Sequence, residues 1–191
     1  GPADKSVAGM TFSKGKLLGV AGGTTSSWNN LFKTARVYEY ENKEWTNWKR
    51  DSIRDLIAVK IDPFDNEHYF AASWGYGLLE FRNGELLNQY KGAPSSLQTV
   101  IPGNFYRLGG MDFDKEGNLW VSNGGVARPL SVFKTNGDWK SFAIASAVNA
   151  SNMADIIVSR NNHKWIVLQG GKGLFVFNDN AANSIISGVI L

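Results

Sequence analysis

An all-β fold is predicted for this chain by three observations. A block of about fifty residues recurs four times along the 191 positions. Each block holds short apolar runs parted by tight polar turns, and no window longer than about ten residues shows helical i, i+3, i+4, i+7 apolar spacing free of Gly or Asn. Two of the turns are Asn-Gly pairs, Asn83-Gly84 and Asn136-Gly137, which favour hairpins because both residues accept positive φ.

The elements follow in the same order in every block. A first apolar run covers 10–12, 56–61, 111–113 and 156–158. A polar turn leads to a second run built around an anchor: Leu18, Tyr69, Trp120 and Trp165, at spacings of 51, 51 and 45. A third run ends on an aromatic residue, at Tyr40, Phe81, Phe133 and Phe177. A second tight turn precedes the fourth run, at 45–48, 86–90, 139–142 and, less regularly, 185–190. Four hairpin-linked strands make one antiparallel sheet, and a repeat of this length is the signature of a β-propeller. The expectation is about four four-stranded blades, at 7–52, 53–104, 105–152 and 153–191, forming part of a larger propeller, since four is the lower edge of known blade numbers. Residues 1–5 read as a tail: Gly1-Pro2 has the look of a protease scar, with a leader removed.

Composition narrows the function classes. The chain is 43% hydrophobic and 19% charged, enough for a packed core. Twenty Lys and Arg against 17 Asp and Glu give a net charge of +3 without a run of five like charges, so no nucleic-acid partner is expected. The absence of cysteine excludes disulfides, thiolate catalysis and thiolate metal sites. With His68 and His163 alone, 95 positions apart, no metal and no cofactor is expected. No segment reaches 18 uncharged apolar residues, so no membrane span is expected.

The string Asp114-x-x-Gly117-Asn118-Leu119-Trp120-Val121, followed by Gly124-Gly125, resembles the two-component-regulator propeller repeat common in the Bacteroidetes. The fourth block keeps Trp165, Gly173 and Leu174 but lacks the Asp and Gly, and the first two blocks match weakly. Within that family, 119–123, 129–132 and 137–139 are most similar to the propeller component of type IX secretion. The resemblance spans about 7–177. It implies an exported protein of the periplasm or cell surface that binds without catalysis. Relatives that are sensor ectodomains imply recognition of glycan breakdown products. Architecture is better specified by such a motif than function is.

Because adjacent hairpins alternate ends, the short turns share one rim and the long loops the other. Loops at 22–35, 73–77, 123–129 and 169–173, with inter-repeat loops at 49–55, 91–107 and 143–155, form the expected binding face. Trp28, Trp74 and Tyr76 are the candidate stacking platforms, and Arg54, Asp55, Arg107 and Asp155 the candidate polar clamps. Aromatic faces beside Arg, Asp and Asn suit sugars, and suit a peptide equally. Trp74 and Tyr76 also fit a purely packing role between blades. Tyr69, Trp120 and Trp165 are expected to fill the wedge between sheets. Asp62 and Asp114 are expected to accept backbone N–H bonds in Asx turns, and His68 and His163 to be solvated turn residues. The Gly-rich strings feed strands, not helices, so they are not phosphate loops; positive φ is their expected use.

A propeller enzyme is the rival class. It requires carboxylates, histidines or a metal converging on the channel. Arg107 opposes a metal held by Asp55 and Asp155, and the histidine is missing. The sequence reading is therefore a non-catalytic extracytoplasmic module recognising a glycan or envelope component through its long-loop face. The alternative is a protein–protein scaffold of a secretion or signalling assembly. Exposed blade edges predict self-association.

Overall fold

A computed structural model of the chain describes residues 1–101, 105–144 and 153–179. Among these residues the elements are β-strands, with no helix. Strands β1 (Gly9–Ser13), β2 (Lys16–Ala21), β3 (Thr34–Glu41) and β4 (Glu44–Arg54) form the first antiparallel unit. The second holds β5 (Leu56–Ile61), β6 (His68–Gly75), β7 (Gly77–Arg82) and β8 (Glu85–Tyr90). The third holds β9 (Tyr106–Phe113), β10 (Leu119–Asn123), β11 (Leu130–Phe133) and β12 (Trp139–Phe142). The fourth holds β13 (Met153–Val158), β14 (Lys164–Leu168) and β15 (Gly173–Phe177). The run expected at 185–190 lies outside the described residues.

The turns explain the regularity. Asn83 and Gly84 both have positive φ (53° and 77°), as do Asn42 and Lys43 (51° and 66°), which matches the twist of a two-residue hairpin. At Asn136-Gly137 only the glycine does. That turn is one of the longer kind, closed by Gly137 N–H donating to the Lys134 carbonyl at 2.9 Å. The Asp114 motif is one hydrogen-bonded unit. Its Oδ1 accepts from Glu116 N (3.1 Å) and Asn118 N (2.8 Å), and its Oδ2 accepts from Trp120 Nε1 (2.9 Å). Gly117, at φ 85°, supplies the bend. Asp62 plays the simpler version, accepting from Phe64 N at 2.9 Å.

Apolar layers between successive units form the core. Leu18, Val20 and Val37 meet Val59, Tyr69 and Phe81 between the first two. Phe70 and Leu78 meet Leu108, Met111 and Val121 between the next two. Trp120 and Val132 meet Met153, Ile156 and Phe175 between the last two. The anchor of the second block is therefore Phe70, not Tyr69: Tyr69 packs backward onto the first unit, whereas Leu18, Phe70 and Trp120 face forward. A one-residue slip exchanges faces. Trp165 also differs from expectation. It is 42% exposed, on a face shared with Ile157, Val167 and Leu174, because no described sheet covers the fourth unit there.

Close approach of the inner strands dictates several glycines. A methyl on Gly9 would lie 2.6 Å from the Ile57 carbonyl oxygen, and one on Gly110 would lie 2.6 Å from Asp155 Cα. Gly22 and Gly109 would strike the backbones of Leu56 and Met153. Positive φ explains Gly23, Gly75 and Gly171; Gly22 is required by space instead. The inner strands β5, β9 and β13 each carry a register shift at the same level, around Ile57, Gly109 and residues 154–155.

Candidate functional site

The connection from β2 to β3 is built on a buried carboxylate. Asp55, wholly inaccessible, accepts at Oδ2 from Phe32 N (2.8 Å) and Asn30 Nδ2 (3.2 Å), and at Oδ1 from Lys33 N (3.0 Å). Within the loop, Thr25 N donates to Asn29 O and Trp28 N to Thr25 O, both at 2.9 Å. Trp28 and Phe32 are thereby held at φ 63° and 57°, a conformation costly for bulky residues unless the surroundings impose it. Asn30 also donates to the Trp74 carbonyl. Trp74 Nε1 returns a bond to the Trp28 carbonyl at 2.9 Å, and their ring centroids are 6.2 Å apart. The Arg107 guanidinium lies 5.6 Å from the centre of the Trp74 ring.

Four candidates, Trp28, Asp55, Trp74 and Arg107, thus form one linked cluster. Tyr76 stands beside it, bridged to Tyr106, with the Lys91 ammonium 5.3 Å over its ring. Arg54 is not linked to this cluster and donates to Thr34 Oγ1 at 2.6 Å, at the end of the same loop. Asp155, exposed on the fourth unit, accepts from Ile156 N at 2.9 Å. Three expectations need correction. Trp74 is fully buried and offers no face to a ligand. Asp55 spends both oxygens on the loop, so it is a positioning residue rather than a clamp. The supposed long loop at 73–77 is a single residue, Tyr76, because β6 runs on to pair with β9 at Trp74–Arg107 and Gly75–Tyr106.

The loop borders a cleft of about 370 Å³ at the starts of the inner strands. Each unit contributes to its wall: Val7, Ile57, Gly109 and Ala154. Thr24, Trp28 and Leu31 come from the loop, and Gln169 from the β14–β15 turn. Among the described residues no charged side chain lines it. Gln169 is 7% exposed, and its Oε1 is buried without a hydrogen-bond partner. Its place at the head of the 169–173 loop is the one signal of it in the sequence. A second cleft, about 430 Å³, lies at the opposite ends of the same strands, beside Phe12, Lys60, Phe64 and Arg160.

His68 is not a solvated turn residue. Its Nδ1 lies 3.0 Å from Asp62 Oδ2, and its Nε2 lies 2.8 Å from Glu80 Oε1. Asn88 Nδ2 and Tyr90 Oη donate to Glu80 Oε2 at 2.7 and 2.6 Å. Burial alone would lower the His68 pKa, but the bonds to Glu80 and Asp62 outweigh it and raise the pKa above its ordinary value. Burial pushes Glu80 up, yet its bonds from His68, Tyr90 and Asn88 carry it down to about 2. Among the described residues no group of three or more His, Asp or Glu is placed to hold a metal ion.

No family model and no curated protein matches the chain. Among solved structures it is similar to PorZ, a bacterial surface component of the type IX secretion system of Porphyromonas gingivalis. That likeness has a TM-score of 0.84 and 27% identity over 94% of this chain. The fold is that of a β-propeller. A virginiamycin B lyase from Staphylococcus aureus matches with a TM-score of 0.66 at 11% identity over 91% of the chain. The β-propeller domain of Cps50 (Swd1) from Myceliophteria thermophila matches with a TM-score of 0.62 at 12% identity over 93%. The chain spans 26% of the PorZ structure's length, 53% of the lyase's and 54% of the Cps50 domain's.

Proposed function

We propose that this chain is a run of four blades, at about 7–52, 53–104, 105–152 and 153–191 after a short tail, from a larger propeller. It serves as a non-catalytic, extracytoplasmic binding module of the cell envelope. The likeness to PorZ over 94% of the chain is the observation that carries this reading, because PorZ is a surface component and the chain spans about a quarter of it. Two features support the larger ring. The face bearing Ile157, Trp165, Val167 and Leu174 is apolar and open, as an interior blade's would be. Met10 and Phe12, each 69% exposed, mark another open surface on the first unit.

Its ligand is a glycan or other envelope component met at the long-loop face, where Trp28, Arg54, Tyr76, Arg107 and Asp155 remain the candidate contacts. A structured, solvent-facing loop on a rigid scaffold supports that placement. The lyase likeness shows the fold alone at 11% identity. The test is a thermal-shift titration of the folded chain with envelope polysaccharide fragments. A saturable rise in midpoint with one polysaccharide class is expected. A flat panel on a cooperatively melting sample would overturn the glycan reading in favour of a protein-binding scaffold.

A further inference from the structure

We infer that the cleft beside Trp28 is a subsite for one uncharged sugar residue, stacked on Trp28 and hydrogen-bonded by Gln169 and Thr24; this rests on the glycan reading above and narrows it. The first ground is charge. Among the described residues no Asp, Glu, Lys or Arg lines the cleft. An ionised ligand group desolvated there would gain no partner, which is expensive. The second ground is an unmet hydrogen bond. Gln169 is 7% exposed and its Oε1 has no partner among the described residues; the free chain already carries the cost of that unsatisfied oxygen, about 1–3 kcal/mol, and a ligand donor reaching the amide would relieve it whereas an apolar group would not. A hydroxyl donates and accepts in one group and meets that need.

The backbone points the same way. The register shifts of β5, β9 and β13 put Ile57, Gly109 and Ala154 on the cleft wall. A residue at such a bulge is left out of the ladder, and the Ala154 carbonyl is satisfied by Ser122 Oγ at 2.7 Å, so the wall itself places no competing demand on a ligand hydroxyl. Small residues at Gly22, Gly23, Gly109 and Ala154 keep the floor flat, and Trp28 with Leu31 supplies the apolar wall. The Asp55 bonds and the Trp74–Trp28 bond set the loop before any ligand arrives, which removes ordering cost from binding. An apolar peptide side chain would fit the Trp28 and Leu31 wall but would strand Gln169.

Intrinsic tryptophan fluorescence decides the matter on the chain as it stands, titrated with neutral gluco-, galacto- and manno-oligosaccharides and with uronate-bearing and sulfated ones. Expected is saturable binding of a neutral class, weakened at least tenfold in Trp28→Ala and in Gln169→Leu. Gln169→Leu should melt no lower than wild type, because it removes an unpaired buried oxygen. Preference for the anionic class, or neutral binding unmoved by either variant, would overturn the subsite and leave glycan recognition standing. Failure of every saccharide to bind the folded chain would overturn both.

Discussion

Gly109→Ala tests the close packing of inner strands on which the cleft depends. A methyl at this position would overlap the Met153 carbonyl oxygen and lie 2.8 Å from its carbon and 2.9 Å from the Ala154 oxygen. All three atoms are backbone of β13, so no rotamer change relieves the clash. The fourth unit would have to retreat by on the order of 1 Å. A gap of that size forfeits roughly a quarter to a half of the dispersion attraction across it, here in the layer of Met153, Ile156 and Ile166 against Trp120. The expected cost is about 3 kcal/mol, the upper end of overpacking penalties, or a midpoint lower by about 6–12 °C for a chain of this size. Gly19→Ala is the opposite case. Its methyl would meet Tyr38 Cδ2 at 3.6 Å and Val7 Cγ1 at 3.8 Å, ordinary contacts. Replacing a strand glycine without strain should gain about 0.5–1 kcal/mol, raising the midpoint by about 1–4 °C. Circular-dichroism melts of both variants measure the contrast. A Gly109→Ala midpoint within 1 °C of wild type would refute the claim that adjoining units touch through bare backbone.

Three further outcomes are expected. Asp55→Ala strips the loop of three hydrogen bonds and should cost about 2–4 kcal/mol; new proteolytic cuts within 22–33 would show it, and an unchanged digest would contradict the staple. His68, with its pKa raised, stabilises the fold below about 6.5 and loses that contribution as pH climbs through the folded-state value. Glu80, lowered to about 2 from 4.5, contributes above 4.5 and fades as pH falls. The midpoint gap between wild type and His68→Gln should therefore be widest between about pH 4.5 and 6.5 and shrink toward pH 9; a gap constant with pH would sink the assignment. Ile157→Lys with Trp165→Lys places charge on the open face of the fourth unit, so concentration-dependent association seen by sedimentation should fall in the double variant, and equal association in both proteins would locate it elsewhere.

Periodicity revealed the fold because it is imposed by turns, and turns are local. Asp114, Gly117, Asn118 and Trp120 close on one another within seven residues, so their spacing survives in the sequence as a motif. The second block lacks the motif's Gly, Asn and Trp, and there the anchor slips from Phe70 to its neighbour Tyr69. Alternation specifies two faces without saying which meets the next unit. The candidate site was legible by the same rule. Trp28, Asp55, Trp74 and Arg107 were all marked as long-loop residues, and they do assemble, but composition could not rank ring faces by exposure. Trp74 became the filling between Trp28 and Arg107, and Asp55 the loop's anchor. Gln169 was marked only by its place in the 169–173 loop, and the wall of Ile57, Gly109 and Ala154 not at all, since these residues come from different units and matter through a register shift and an unmet hydrogen bond. A site made of backbone bulges and one amide is set by how the sheets stack. The side chains that announce chemistry in a sequence here do the stacking, and the surface they shape is nearly bare of them.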